Sequence, residues 1–256
     1  MYGFVDTTDS GSVRIRPSEA MQVNGEYLED LVPGYRTLSV SGRELHTAEV
    51  DVLTKGMVHG GRFIRKRLSP RHLTVNYQLL ARSNGAFREA FNQLNRALAV
   101  EEAVLVFEDE QDKHFIGTPG SAGEVPEGVN KIVSRFGIVC ARPWKFGEEV
   151  VEGLSLINAG SGETPCFVRV RFREATRDFT IRHVQQDKET RIAWEFGEND
   201  VLEIDMGRRL VTINNNVRMT AFDFRTRMFN IQPGVNTFET SVASSWAEIR
   251  YRPRWL

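Results

Sequence analysis

The chain reads as an α+β, mainly β protein of two domains, and three observations predict it. Residues Arg71 to Gly117 run strand, helix, strand. Helical periodicity disappears from Val151 onward. Short strands then recur between explicit turns, the pattern of an antiparallel sandwich. The expected organisation is an N-terminal β-sheet domain with one packed helix over residues 1–147, and a C-terminal antiparallel β-sandwich over residues 148–256. Pro143 should end a ladder, and Gly147 to Glu152 is the linker. At 256 residues with 41% hydrophobic composition, the chain can build a core in each domain.

In order, residues 1–31 open with polar, turn-rich sequence. Met21 to Val23, a turn at Asn24-Gly25, and Tyr27-Leu28 suggest a short hairpin. Leu38 to Val40 and Glu49 to Leu53 read as extended. Between Thr54 and Arg67, Gly56, Gly60 and Gly61 argue against a regular element and predict a long mobile arm. Leu73, Val75, Tyr77 and Leu79 then alternate with Thr74, Asn76 and Gln78, a half-buried strand. Ser83 or Asn84 can cap a helix over residues 84–99, whose Phe87, Phe91, Leu94 and Leu98 share one face. Each of those side chains, once buried, contributes roughly 1.5–3 kcal/mol, more than helix propensity supplies. Ala103 to Phe107 and the residues around His114 to Ile116 are strands about an acidic turn. A breaker-rich loop follows from Gly117 to Gly128, and Val129 to Ala141 returns as a strand.

Ten short strands follow between Leu154 and Tyr251, with turns such as Asn214-Asn-Asn216 and Gln232-Pro-Gly-Val-Asn236. In Phe167 to Arg173, Val168, Val170 and Phe172 face inward. Arg169, Arg171 and Arg173 face outward, solvated or paired with glutamates across strands. Trp194 falls on an inward register, whereas the placement of Trp246 and Trp255 stays open. Cys140 and Cys166 are too few for a disulfide framework and read as packing residues.

Charge is balanced, 33 basic against 34 acidic residues, so no global field recruits nucleic acid or anionic lipid. Two local blocks stand out. Arg62, Arg65, Lys66, Arg67 and Arg71 form a basic segment, and six carboxylates lie between Glu101 and Asp112. They are either solvated loops or complementary surfaces between subunits. No apolar run reaches membrane-spanning length, and the N-terminus lacks the basic start and apolar core of a signal peptide.

Chemistry-bearing motifs are missing. The five histidines stand apart without HExxH spacing, no GxSxG elbow occurs, the glycines near Lys55 lack the phosphate-loop order, and Glu108 to Asp112 lacks a calcium-loop pattern. No catalytic residue, cofactor site or metal site is expected, and the chain is read as a non-enzyme.

Several stretches together resemble the distal tail protein family of long-tailed, non-contractile bacteriophages. They are LTVNYQLL from Leu73, FREAFNQLNRAL from Phe87, AVLVFEDEQDKHFIG from Ala103, CARPWKFG from Cys140, NAGSGETPCFVRV from Asn158, TRMFNIQPGVNTFET from Thr226 and AEIRYRPRWL from Ala247. The resemblance covers nearly the full chain and rests on their order and spacing. It implies a strongly curved, barrel-like N-terminal sheet resembling the tail tube, and a galectin-like C-terminal sandwich. It further implies a homo-hexameric ring in the virion, assembled in the host cytoplasm, joining the tail tube protein to the tail-tip hub. The tape measure and receptor-binding proteins would be further neighbours, and DNA would pass a neutral or acidic lumen without specific binding. On that reading Lys55, Met57, His59, Arg62, Phe63, Arg65, Lys66, Arg67, Glu108, Asp109, Glu110 and Asp112 are the candidate inter-subunit contacts. The alternative is a carbohydrate-binding protein docking cell-wall saccharide through the sandwich, with glycan hydrolysis an outlying third reading.

Overall fold

The computed structural model describes residues 16–57, 59–125, 129–242 and 246–256. Most of the polar opening stretch therefore lies outside the described residues. Among the described residues the fold is mainly β with two α-helices, and its contacts divide the chain into two units at Pro143/Trp144.

In the first unit, β1 (Met21–Val23) and β2 (Glu26–Tyr27) form the expected hairpin about Asn24-Gly25, both at positive φ. A one-turn helix α1 (Leu28–Leu31) follows, which sequence reasoning had not foreseen. Next come β3 (Tyr35–Ser41), β4 (Ala48–Leu53), β5 (Arg62–Leu68), β6 (Arg71–Leu80), helix α2 (Asn84–Leu98), β7 (Ala103–Phe107), β8 (Glu110–Ala122) and β9 (Lys131–Cys140). The main sheet runs β2-β1-β7-β8-β9-β6-β3. β6 pairs along its whole length with β9 and, on its other edge, with β3.

Two corrections to the sequence reading concern loops. Strand β8 continues to Ala122, so Gly117 to Ala122 of the expected loop belongs to a strand. Its first half pairs with β7 and its second half, from Thr118, with β9, so one long strand passes the ladder between neighbours. The Thr54 to Arg67 arm also contains a regular element. Arg62–Leu68 is a strand, and it pairs with Ala48–Leu53 as a separate two-stranded sheet, with the glycines confined to the tip. The glycine count misled because it described the turn of a hairpin and not its legs.

The β6 alternation holds. Leu73, Val75, Tyr77 and Leu79 are buried, and the residues between them are less so. Helix α2 is capped by Ser83, whose Oγ accepts from the Ala86 amide at 3.2 Å. Phe87, Ala90 and Leu94 enter the core cluster, with Phe91 and Leu98 packed partly buried against it. Glycine is required at both ends of β3. At Gly34, φ is +81° and an added Cβ would meet the Leu80 carbonyl oxygen at 1.9 Å; at Gly42, φ is +93° and the His72 oxygen lies at 2.1 Å. Both carbonyls belong to β6, so β3 enters and leaves pressed against its partner strand.

The second unit holds β10 (Lys145–Phe146), β11 (Val150–Glu152), β12 (Ser155–Asn158), β13 (Thr164–Arg171), β14 (Thr176–His183), β15 (Lys188–Phe196), β16 (Val201–Asp205), β17 (Leu210–Ile213), β18 (Asn216–Val217), β19 (Asn230–Ile231), β20 (Gly234–Thr240), β21 (Trp246–Tyr251) and β22 (Arg254–Trp255). One sheet is ordered β11-β21-β13-β16-β17-β18 and the other β12-β20-β14-β15, all neighbours antiparallel. Val168, Val170 and Phe172 from the first sheet share a core with Phe179, Ile181, Ile192 and Phe196 from the second. Phe172 stacks on Phe196 at 4.1 Å and meets Phe179 edge-on at 5.7 Å. Trp194 departs from its expected core position. It is half-buried against that core, and the Arg218 guanidinium lies 5.6 Å from its ring.

Both cysteines are buried and unbridged. Burial pushes the Cys140 thiol up to about 11 and the Cys166 thiol up to about 12. A raised folded-state pKa favours the protonated fold. That contribution is whole below the ordinary value of about 9 and is lost as pH climbs towards 11 and 12. The folded protein is therefore expected to resist a thiol reagent at pH 8 and to react at two thiols once denatured, with the urea midpoint falling above pH 9. Rapid labelling of the folded protein at pH 8 would contradict this account.

Candidate subunit interface

The β4–β5 hairpin lies within the connection between β3 and β6. Because those two strands pair directly, residues 42–70 are excluded from the main sheet and close on themselves. Two strands alone are marginally stable in water, and they need a surface on which to bury a face. This hairpin's apolar residues are open. Val50, Val52 and Leu53 on β4 and Phe63 and Ile64 on β5 are all about half or more exposed, with Phe63 at 61%. Met57 at the tip is fully exposed. Six such residues on one two-stranded element leave much apolar surface in water.

Register places two ion pairs on the face opposite Val50 and Val52, with Leu53 on the ion-pair side and Lys66 beside Val50. Asp51 stands across from Arg65 and Glu49 across from Arg67. Arg65 donates to Asp51, Nε to Oδ2, at 2.5 Å, and Arg67 pairs with Glu49. Val50, paired with Lys66, and Val52, paired with Phe63, fall on the alternate side. Lys55, His59, Arg62 and Lys66 are exposed and outside any ion pair among the described residues. Arg71, counted in the basic segment from sequence, is not part of this surface. It is 2% exposed and donates to three backbone carbonyls: Pro143 at 2.9 Å, Gly42 at 2.8 Å and Arg43 at 3.1 Å.

The acidic turn is likewise engaged at home. Arg43, buried, forks onto Asp109 at 3.0 and 2.7 Å, with Glu110 at 3.7 Å and the Phe107 ring 4.2 Å beneath its guanidinium. Lys113 reaches Glu110 at 3.2 Å and Asp112 at 3.0 Å. Tyr27 donates its hydroxyl to Glu108, and burial, followed by that hydrogen bond, raises the phenol's pKa. The sequence had suggested arm and turn as bare opposite charges. The structure compensates four of those carboxylates and two of those cations within the chain, and it opens an apolar face that charge counting passed over. Alternation in Val50, Val52 and Phe63 was the available signal, once a strand was granted to Arg62–Leu68.

Among the described residues no His, Cys, Asp and Glu group could hold a metal ion, and no helix is long and apolar enough to cross a membrane.

Comparison with known proteins places these features in context. Residues 159–255 match the family model described as siphovirus-type tail component, C-terminal domain. A curated relative, the distal tail protein of Bacillus phage SPP1, is 25% identical over 222 residues, covering 82% of this chain and 87% of that protein. The crystal structure of SPP1 Dit is described as a paradigm of the hub of the adsorption apparatus in phages infecting Gram-positive hosts. It superposes with a TM-score of 0.81 at 20% identity, covering 93% of this chain and 99% of that one.

The two kinds of ion pair differ in what they contribute. Removing Arg43 leaves Asp109 without its forked partner beside a buried ring, so Arg43→Ala is expected to cost about 2 kcal/mol. Arg65→Ala removes an exposed pair and is expected to cost under about 1 kcal/mol. Urea denaturation of both variants checks the contrast, and equal costs would refute it.

Proposed function

We infer that this chain belongs to the distal tail protein family of long-tailed, non-contractile bacteriophages, a structural component of the virion tail. The observation that carries the reading is the likeness to the SPP1 distal tail protein along nearly the whole length of both chains. On this reading the protein is a ring-forming hub, six copies joining the tail tube to tail-tip and receptor-binding components, and DNA passes its lumen unbound. The first unit corresponds to the ring-forming, tail-tube-like domain and the second to the galectin-like sandwich.

The β4–β5 hairpin is the element proposed to reach the neighbouring protomer. A ring needs head-to-tail contacts, in which one surface of a subunit meets a different surface of the next. An extruded hairpin with an apolar face suits such a contact, and Lys55, Arg62 and Lys66 would set its electrostatic register. Since Glu108, Asp109, Glu110 and Asp112 are already paired within the chain, apolar burial supplies most of the contact energy and charge has a smaller part.

The expected consequence is specific. Light scattering on the purified protein should give a mass near six times 29.1 kDa. Phe63→Asp should reduce it to that of a monomer while leaving the circular dichroism and thermal midpoint of the subunit unchanged, because the side chain is exposed in the single chain. A Phe63→Asp protein that still forms the ring would remove the hairpin from the interface.

One observation favours saccharide docking as a second reading. On the outer face of β13, Arg169 is neutralised by Glu203 and Glu248, but among the described residues Arg171 binds only the neutral Asn199, and half-exposed Trp246 stands across the ladder from it. An amphipathic ring beside uncompensated guanidinium groups suits an acidic sugar. On a glycan array, acidic ligands should bind the protein and lose binding with Trp246→Ala; an empty array would discard this reading.

A further inference from the structure

The second unit contains a recess of about 420 Å³ that its own side chains leave incompletely filled. Met206, Met219, Met228 and Phe229 line it, so three of the chain's six methionines meet at one place. Unbranched thioether chains adapt to differently shaped apolar partners, which makes them frequent at docking surfaces. The apolar lining continues outward through Phe222 to Phe224, which is 78% exposed and meets Phe222 edge-on at 5.3 Å.

Phe224 is not carried on a slack loop. The Asp223 amide donates to the Arg191 carbonyl at 3.0 Å, and the Arg227 amide donates to the Glu189 carbonyl at 2.9 Å. In return the Arg191 amide donates to Thr226 Oγ1 at 3.1 Å, and Thr190 Oγ1 donates to the Arg227 carbonyl at 2.9 Å. The segment thus lies along the edge of β15 almost as an added strand. An aromatic side chain held outward on a fixed backbone loses little further freedom on binding, which is how an interface anchor is built.

Charge selects the occupant. Lys188, Arg209 and Arg227 border the recess, and no carboxylate is among its described lining residues. Arg225, nearby, is taken by Asp223, whereas neither Arg209 nor Arg227 has a carboxylate in salt-bridge range among the described residues. An apolar cavity with an outward aromatic and a purely cationic rim complements one chemistry. We propose that this recess docks a partner protein through a peptide segment in which an apolar side chain is flanked by carboxylates. A simple alkyl ligand would be served by the cavity alone and leaves the fixed, outward Phe224 without a role.

The proposal concerns only the second unit and does not depend on ring formation. A random peptide library selected on the intact protein, followed by fluorescence anisotropy of the enriched peptides, tests it. Enriched sequences should share an apolar or aromatic residue beside Asp or Glu. Phe224→Ala should weaken their binding by at least about tenfold. The double variant Arg209→Ala, Arg227→Ala should weaken it and flatten its salt dependence. Phe63→Asp should leave it unchanged, which separates this site from the hairpin contact. Absence of acidic residues among the enriched peptides, or undiminished binding to the variants, would overturn the proposal. So would displacement of the peptides by dodecanoate at lower concentration, which assigns the recess to an amphiphile, or self-association lost in Phe224→Ala, which assigns it to a second copy.

Discussion

The double-sided pairing of β6 is the constraint from which the first unit follows. Ten residues pair in unbroken register with β9, while the opposite edge is held by β3. With both edges used, the strand's faces are fixed by the period of two, and Leu73, Val75, Tyr77 and Leu79 must point to one side. Helix α2 supplies Phe87, Ala90 and Leu94 to the same core cluster. The carbonyls of β6 then dictate glycine at Gly34 and Gly42, where β3 begins and ends against them.

The same pairing explains the hairpin. When β3 and β6 are hydrogen-bonded neighbours, the residues between them can neither join the ladder nor cross it, and residues 42–70 leave as a self-paired excursion. Such an element has too little surface of its own to bury Val50, Val52 and Phe63. Its two ion pairs lie on one face, and Val50 and Val52 are left open to solvent on the other beside Lys66. The acidic turn illustrates the reverse case. Its carboxylates are numerous in sequence yet are held by Arg43, Lys113 and Tyr27, which makes it a brace within the unit.

The second unit divides its labour by face. Inward positions of β13, β14 and β15 close an aromatic core around Phe172, while outward arginines are either compensated, as Arg169 is, or left available, as Arg171 is. The segment after the short turn at Met219–Ala221 returns along β15, and Met206, Met219 and Met228 line the recess beside it.

The sequence alone determined whatever depends on near neighbours. Alternation in β6 and β13, the Ser83 cap, the shared face of α2, and the turns at Asn24-Gly25 and Asn214 to Asn216 are local consequences of side-chain shape and backbone freedom, and each is legible without a fold. The resemblance to distal tail proteins was legible for a related reason, since it lay in the order of such local stretches. Tertiary structure decided everything that depends on who stands opposite whom. It made the glycine-rich arm a hairpin, because Arg62–Leu68 is extended only with Ala48–Leu53 beside it. It withdrew Arg71 into a shell of backbone carbonyls and turned the acidic run inward onto Arg43. It moved Trp194 partly out of the core, beneath Arg218. Charge and exposure are properties of pairs and of packing, and a linear sequence records neither partner nor depth.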